Sequence, residues 1–319
     1  LAPLFAFAVA QGFSYLAGGH HPESKHTTAR FFVPVMATWG FNLLLALFSE
    51  KGIALFAPLW FGRVSLNVVH SFDVGLLIGL VVFALLAASV KSFRTDIARF
   101  TLLLLLVYIG IVGTFKLKAD GVGDAYGEAM GVEVEAVYTL PQPLSPFYWH
   151  VIVETDAHRL HDTRISLKRD KTKTITPDMN RVQRVKAAYM PVHAAVWRIK
   201  ERFGLDNPAF VARGWQSHIR QSLGWASRFL VYQKMKTYQG MQCVQLKDLR
   251  FESPKFHTKG QTEGYTEAKT KGVYLLCRNK KGADKGAHWQ AYQAYGQEAG
   301  QAAGQAAGDA SFFRLDVIY

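Results

Sequence analysis

Residues 100–115 read Phe-Thr-Leu-Leu-Leu-Leu-Leu-Val-Tyr-Ile-Gly-Ile-Val-Gly-Thr-Phe and lie between Arg99 and Lys116. The stretch contains no charged residue. A helix that crosses a membrane needs about 20 predominantly apolar residues, and long basic side chains at its ends reach back to the polar interface. The stretch therefore predicts a membrane-spanning helix.

Three further apolar runs precede it, at residues 1–18, 31–49 and 74–90. The second run lies between Arg30 and Glu50, and the third lies between Asp73 and Lys91. The alternative is a set of buried core helices in a soluble protein, but a succession of such runs favours membrane spans. The predicted fold is a membrane α-helical bundle of about four transmembrane helices, followed by a small α+β soluble domain.

Charge is spread unevenly along the chain. The net charge is +13, and most of it lies after residue 116. We therefore predict a transmembrane helical domain at residues 1–118 and an α+β soluble domain at residues 119–289. Residues 290–319 begin with repeats of Gln, Ala and Gly and are predicted to be a low-complexity tail.

Hydrophobic periodicity predicts the elements of the soluble domain. Alternating or short apolar runs indicate strands at residues 148–153, 164–167, 244–251 and 273–277. Apolar residues at helical spacing predict one helix over residues 181–202. Residues 119–131 are predicted to be a short helical connector.

Basic residues beside the predicted spans bear on orientation. They are slightly more numerous on the side of the first and third links, so the positive-inside rule favours cytoplasmic short loops. The expectation is a multi-pass protein whose soluble domain is extracytoplasmic.

Cys243 and Cys277 are too few for a disulfide scaffold or a zinc ribbon. Free, buried thiols are the favoured interpretation, and a single bridge in an oxidising compartment is the alternative.

A basic cluster near the predicted membrane boundary predicts contact with anionic lipid head groups. Its members are Lys116, Lys118, Lys168, Arg169, Lys171 and Lys173. Nucleic acid is the competing partner. Binding of nucleic acid ranks lower, because no aromatic side chains alternate with these basic residues.

The candidate metal ligands are Asp73 and His70, at the start of the third apolar run. A carboxylate and an imidazole suit a divalent metal such as zinc. Asp73 equally suits a helix cap, which the sequence favours. The histidines His20, His21 and His26 share one loop, and the segment at residues 156–162, Asp-Ala-His-Arg-Leu-His-Asp, is interpreted as a polar turn rather than a metal site.

Four blocks of sequence carry a family resemblance. They are Ser49-Glu50-Lys51-Gly52-Ile53 to Pro58, Asn67 to Asp73, Pro141-Gln142-Pro143-Leu144-Ser145-Pro146 with Trp149, and Asp248-Leu249-Arg250-Phe251. With these blocks in this order and spacing, the chain resembles the YdjM-like inner-membrane metal-dependent hydrolases. This family is associated with LexA regulation and phospholipase-type activity. The resemblance covers residues 1–252. It implies a bacterial inner-membrane protein that hydrolyses phospholipid with a divalent metal.

The chain departs from the family pattern at the implied metal ligands. An H-R-G-x-T/S-H-S block would precede residue 1, Asn42 stands at the histidine position, and Ala46 stands at an aspartate position. Asp73 keeps a ligand, although Val74 replaces the usual proline. A catalytic zinc site needs about three protein ligands. The enzyme assignment is therefore undecided: the alternatives are a degenerate hydrolase, an accessory subunit of a larger membrane complex, and a lipid-surface binding protein.

Overall fold

The computed structural model describes residues 27–56, 63–156, 158–176, 178–205, 208–216, 228–252, 255–258, 261–264, 273–278, 289–294 and 312–315. The chain divides into two compact units, residues 1–71 and 72–319. The apolar run at residues 1–18 and the histidines His20, His21 and His26 lie outside the described residues.

The first unit is organised around helix α1, Thr27–Phe48. The chain then folds back onto the end of this helix. The Leu66 amide donates a hydrogen bond to the Leu47 carbonyl at 2.8 Å, and the Val68 amide donates to the Phe48 carbonyl at 2.9 Å. The last carbonyls of a helix have no partner within it, so these bonds satisfy groups that would otherwise need water.

The second unit begins with an apolar helical hairpin. Helix α2, Val74–Ser89, runs antiparallel to the first half of helix α3, Arg94–Met130, and a 3-10 turn at Lys91–Phe93 joins them. The rings of Phe83 and Phe100 meet edge to face with centroids 6.0 Å apart. The apolar stretch of α3 is only 17% buried, so its side chains face outward.

The predicted bundle of about four transmembrane helices is wrong. Among the described residues, one helix is long and apolar enough to cross a membrane, and it is the segment Lys91–Met130 that contains α3. Helix α2 has 16 residues, which span about 24 Å and fall short of a hydrocarbon core of about 30 Å. The apolar part of α1, Val35–Phe48, is also short. Apolar composition predicted these helices, but it did not predict where they end.

Helix α3 continues without a break past residue 118, where the sequence predicts a domain boundary. The residues predicted to be a separate connector, 119–131, form its last turns. The helix ends at Gly131, whose left-handed backbone (φ 62°) terminates it.

In the part of the chain that the structure describes, two five-stranded sheets follow the hairpin. The first has the order β1-β2-β3-β4, with β5 also paired to β3. Its strands are β1 Val134–Pro141, β2 Tyr148–Thr155, β3 Arg159–Ser166, β4 Met190–Pro191 and β5 Arg198–Glu201. Helix α4, Arg181–Ala187, lies between β3 and β4 in the chain.

The second sheet has the order β12-β11-β10-β7-β6, and a separate two-stranded ladder pairs β8 with β9. Their strands are β6 Leu230–Tyr238, β7 Met241–Asp248, β8 Lys255–Thr258, β9 Gln261–Gly264, β10 Val273–Arg278, β11 Trp289–Ala294 and β12 Phe312–Leu315. Helix α5, Pro208–Gln216, packs on this sheet through Phe210, Val211 and Trp215.

The first sheet is covered on both faces. One face packs in a buried apolar cluster with residues in or next to β6 and β7. The cluster consists of Leu140, Ile152, Leu160, Phe229, Val231 and Leu249. The second half of α3 covers the other face. A Cβ atom at Gly123 would lie 2.5 Å from Val137 Cγ1, so helix and sheet approach each other more closely than a larger residue allows.

The predicted strands at residues 148–153 and 273–277 are confirmed within β2 and β10, and the one at residues 164–167 is confirmed in β3 up to Ser166. The strand predicted at residues 244–251 is confirmed in β7 up to Asp248, after which Leu249–Phe251 form a 3-10 turn. The helix predicted over residues 181–202 is wrong beyond Ala187, because the chain continues as β4, a 3-10 turn and β5. Pro191 explains the break: proline lacks an amide donor, and it disfavours helical backbone at the residue before it.

Cys243 and Cys277 are directly paired across β7 and β10 and form a disulfide. Both are fully buried beside Met241 and Leu275. The interpretation as free thiols is therefore wrong, and the alternative of a single bridge is the one that the structure shows. The sequence could not decide this, because the strand register that opposes the two residues is a tertiary property.

We predict that Gly123→Ala lowers the free energy of unfolding by about 1–3 kcal/mol, the usual effect of overpacking a contact. The added methyl group would meet Val137 at 2.5 Å and Val151 at 3.2 Å. Gly121→Ala is the matched control in the same helix, since a Cβ there has no neighbour within 4 Å. Thermal unfolding measures both, and equal melting temperatures for the two variants would contradict the packing described.

Candidate functional site

Contacts between α3 and the first sheet define which end of the sheet lies beside the apolar half of the helix. The rings of Phe115 and Phe147 have centroids 4.8 Å apart. Further along the helix, Asp120 accepts a hydrogen bond from Thr139. Helix and β1 thus run antiparallel, and the loop at residues 142–147 lies level with Phe115, the last residue of the uncharged stretch.

The loop after β3 reaches the same end. The Leu167 amide donates to the Phe147 carbonyl at 3.0 Å. Lys168 is exposed, and its Nζ lies 5.4 Å from the centroid of the Phe147 ring. The contacts Phe115 to Phe147 to Lys168 therefore place the basic loop where the apolar part of α3 ends.

The six basic residues predicted to contact lipid are called the basic rim below, namely Lys116, Lys118, Lys168, Arg169, Lys171 and Lys173. Lys118, Lys168, Lys171 and Lys173 are exposed. Lys116 pairs with Asp120 at 2.6 Å. Arg169 Nη1 donates to the Tyr189 carbonyl at 2.8 Å, which anchors the loop. The rim therefore presents lysine ammonium groups to solvent around the helix.

The predicted metal ligands have other partners. Asp73 caps α2 by accepting a hydrogen bond from the Leu76 amide at 3.0 Å, and its second oxygen accepts from the Tyr108 hydroxyl at 2.5 Å. His70 Nε2 lies 3.8 Å from Glu50 Oε1, and Glu50 Oε2 accepts from the Ser71 amide at 2.7 Å. The contact between Glu50 and His70 is not predictable from the sequence, because a loop of about 20 residues separates them.

In the part of the chain that the structure describes, no three His, Cys, Asp or Glu side chains lie close enough to hold a metal ion. Asn42 and Ala46 both lie on α1, one helical turn apart. The described residues therefore do not fit the three-ligand site that a catalytic zinc needs. The zinc expectation stays a prediction.

A buried polar network lies on the face of the first sheet that α3 does not cover. His150 on β2 and Asp162 on β3 are both fully buried, and His150 Nε2 lies 2.9 Å from Asp162 Oδ2. Arg198 on β5 donates to the same oxygen. The interpretation of residues 156–162 as a polar turn is therefore wrong for their second half, residues 159–162, which belongs to β3 and contains the buried Asp162.

Further ionic contacts extend this layer. Arg202 Nη1 donates to Glu154 Oε1 at 2.5 Å, and both residues are buried. Arg164 donates to the Glu252 carbonyl, and Lys200 Nζ lies 3.2 Å from Glu252 Oε1. The sequence does not indicate which polar residues are buried, because in β3 they stand at consecutive positions, His161-Asp162-Thr163-Arg164.

Burial and neighbouring charges shift the pKa values of the central pair. Burial lowers the pKa of His150, and the positive charge of Arg164 acts in the same direction, although the hydrogen bond to Asp162 opposes them. Burial by itself would raise the pKa of Asp162. The hydrogen bond from His150 and the charge of Arg198 outweigh it, so the pKa of Asp162 falls to about 2.

The chain matches no protein-family model, no curated protein and no solved structure. The two arrangements above therefore stand on their own geometry. The buried network joins β2, β3 and β5 and is closed to solvent at its centre. The basic rim is open to solvent and lies beside an apolar helix.

We predict that the protein loses stability as the pH falls through about 6.5, because the unfolded chain then binds a proton on His150 that the folded chain excludes. The variant His150→Gln cannot titrate there and should show a smaller decrease. The residual decrease includes His161, whose pKa is also lowered by burial. Thermal unfolding of the detergent-solubilised protein over a pH series measures the slope.

The matched control for this experiment is His193→Gln, since His193 is exposed in the 3-10 turn after β4. It should keep the wild-type slope. An identical slope for wild type and His150→Gln would show that His150 does not couple folding to protonation.

Proposed function

We propose that the chain is a membrane-anchored protein that binds anionic lipid head groups through the basic rim. The observation that carries this proposal is the series of contacts from Phe115 to Phe147 to Lys168. It brings a loop that is remote in sequence to the end of the apolar helix. Lipid is favoured over nucleic acid because the lysines border an apolar helix, where head groups lie.

The dimensions of α3 support anchoring. The uncharged residues 100–115 extend for about 24 Å at the usual helical rise. Unlike α2, α3 continues beyond its uncharged part at both ends, and with its charged first turns, residues 94–99, the segment extends for about 33 Å, close to a hydrocarbon core of about 30 Å. Basic residues lie at both ends of this segment, Arg94 and Arg99 at the start and Lys116 and Lys118 just beyond the end. Such side chains reach from the end of a span into the interface.

The chemistry of the rim supports a general attraction to negative charge. Its exposed members are lysines, which act as point charges without the fixed fork of arginine. A lysine near an anionic leaflet contributes about 1 kcal/mol, and the attraction falls off within about 10 Å at ordinary salt. We therefore propose that the rim recognises anionic lipids as a class, such as phosphatidylglycerol.

We predict that Lys168, Lys171 and Lys173 react roughly fivefold more slowly with a water-soluble amine reagent in anionic nanodiscs than in neutral ones. This factor corresponds to about 1 kcal/mol of attraction per lysine. The full chain is reconstituted in phosphatidylcholine with and without phosphatidylglycerol, and peptide mass spectrometry gives the rates. High salt should abolish the difference.

Two controls accompany this measurement. Lys234, an exposed lysine on β6, should react equally in both nanodiscs. The triple variant Lys168→Gln, Lys171→Gln, Lys173→Gln should lose co-purified phosphatidylglycerol, whereas the corresponding arginine variant should retain it. Equal rates for the rim lysines in both nanodiscs would contradict the proposal.

The disulfide supports an extracytoplasmic sheet domain, because disulfides persist in oxidising compartments and are rare in the cytosol. We therefore propose that the basic rim faces the outer leaflet of the inner membrane.

We predict that removing this bridge with Cys243→Ser and Cys277→Ser lowers the free energy of unfolding by about 3–4 kcal/mol. The two residues are 34 apart in sequence, and closing a loop of that length gives a gain of this size.

In sealed vesicles, a thiol reagent should modify Cys243 only after reduction and denaturation. Modification without a reductant would place the domain in a reducing compartment.

A larger membrane complex is the second candidate partner. An apolar groove of about 310 Å³ lies between α2 and α3, and it includes Gly75, Gly79 and Phe83. Small residues on a helix allow another apolar helix to approach closely within a membrane. Purification from mild detergent tests this alternative, since a subunit would elute with stoichiometric membrane partners.

A further inference from the structure

The loop at residues 142–147 joins β1 to β2 at the same end of the sheet as the basic rim. Hydrogen bonds hold it on both sides. The Gln142 amide donates to the Tyr148 carbonyl at 3.0 Å, and the Tyr148 amide donates to the Ser145 carbonyl at 3.2 Å. Trp149 Nε1 donates to the Pro146 carbonyl at 3.0 Å. Two prolines, Pro143 and Pro146, further restrict the backbone.

Leu144 at the tip has an unfavourable backbone conformation. Its φ is 84°, in the region that glycine and asparagine adopt readily and that a bulky side chain avoids. Its side chain is nevertheless 43% exposed, so it does not recover this cost through burial in the fold. Such strain at an exposed apolar residue points to a role outside the folded core.

Two other exposed apolar side chains lie at this end. Leu117, 70% exposed, follows Lys116 on α3. Val192, 40% exposed, comes directly after β4, which pairs in parallel with the end of β3 at Ile165 and Ser166. Proteins that bind at the membrane interface insert apolar side chains between the head groups and the acyl chains, and neighbouring lysines contact the head groups.

We propose that Leu144 is a wedge that enters the lipid interface and, with the basic rim, holds the sheet domain against the bilayer. The hydrogen bonds of the loop restrict the backbone on both sides of Leu144, so little backbone conformational entropy is lost on insertion. The proposal rests on the membrane anchoring proposed above. It adds a contact with acyl chains that does not depend on lipid charge.

The experiment uses the full chain in nanodiscs with an environment-sensitive fluorophore on Leu144→Cys. The two native cysteines are buried in the disulfide, so the new thiol is labelled selectively. We expect blue-shifted emission and quenching by lipids that carry a nitroxide on the acyl chain. Emission typical of water, without quenching, would overturn the wedge.

His158→Cys is the matched control. His158 is exposed, has a positive φ of 55°, and lies in the β2–β3 turn at the opposite end of the same sheet. Its label should remain in water and escape quenching. Equal quenching at both positions would also overturn the proposal, because the signal would then come from general adsorption.

A second pair of variants separates this role from folding. Asparagine tolerates a left-handed backbone, so Leu144→Asn should melt at or above the wild-type temperature while Lys168 reacts faster with the amine reagent. Leu144→Met, which stays apolar, should keep the slow reaction. A lower melting temperature for Leu144→Asn with unchanged Lys168 reactivity would show that Leu144 packs the fold instead.

The outcomes distinguish the wedge from the proposed function. Shielded rim lysines with a water-exposed label at residue 144 would overturn the wedge and leave head-group binding intact. An inserted label with no charge-dependent shielding of the lysines would support the wedge and contradict recognition of anionic lipid.

Discussion

The close approach of α3 to the first sheet is the contact on which the second unit depends. Gly123 and Gly127 leave no side chain between helix and strands, so Val137 and Val134 lie directly against the helix backbone. Because α3 is continuous, this contact fixes the sheet to the same rigid element that carries the apolar stretch. The position and orientation of the basic rim follow from that attachment.

The opposite face of the sheet combines apolar packing with buried charge. Ile152 and Leu160 pack in the apolar cluster, while His150 and Asp162 on the same face form a hydrogen-bonded pair. Removing one member of such a pair leaves a buried group without its partner, which makes networks of this kind sensitive to substitution. The network also makes protonation costly, so burial couples the fold to pH.

These two faces assign different roles to the polar residues of the chain. The buried residues Asp162, Glu154 and Arg202 hold strands together and are inaccessible to a partner at their contacts. The exposed lysines of the basic rim do not support the core, and the contacts of Phe147 with Phe115 and Lys168 bring their loop to the end of the apolar part of α3. The function proposed for the protein therefore belongs to its surface, and the family resemblance to hydrolases adds an expectation that the described residues do not fit.

The sequence by itself determined the local elements with strong, short-range signals. Uncharged leucine-rich residues predicted the apolar part of α3. Alternation predicted β7, and short apolar runs predicted β2 and β10, within a few residues. The sequence also identified Lys168, Lys171 and Lys173, because a cluster of basic residues can be recognised without knowledge of the fold. Hydropathy could not distinguish a membrane-spanning helix from a shorter apolar helix. The residues at which α1 and α2 end depend on backbone geometry and on contacts with distant residues, which hydropathy does not report.

Only the tertiary structure decided the rest, because the partners are distant in sequence. Strand register opposes Cys243 to Cys277 and brings His150 next to Asp162. Pairing inside the sheet makes residues 159–162, which the sequence indicates to be part of a polar turn, the first half of strand β3. The aromatic contact of Phe115 with Phe147 brings the lysine loop to the helix, and no local pattern encodes a contact between residues 32 positions apart.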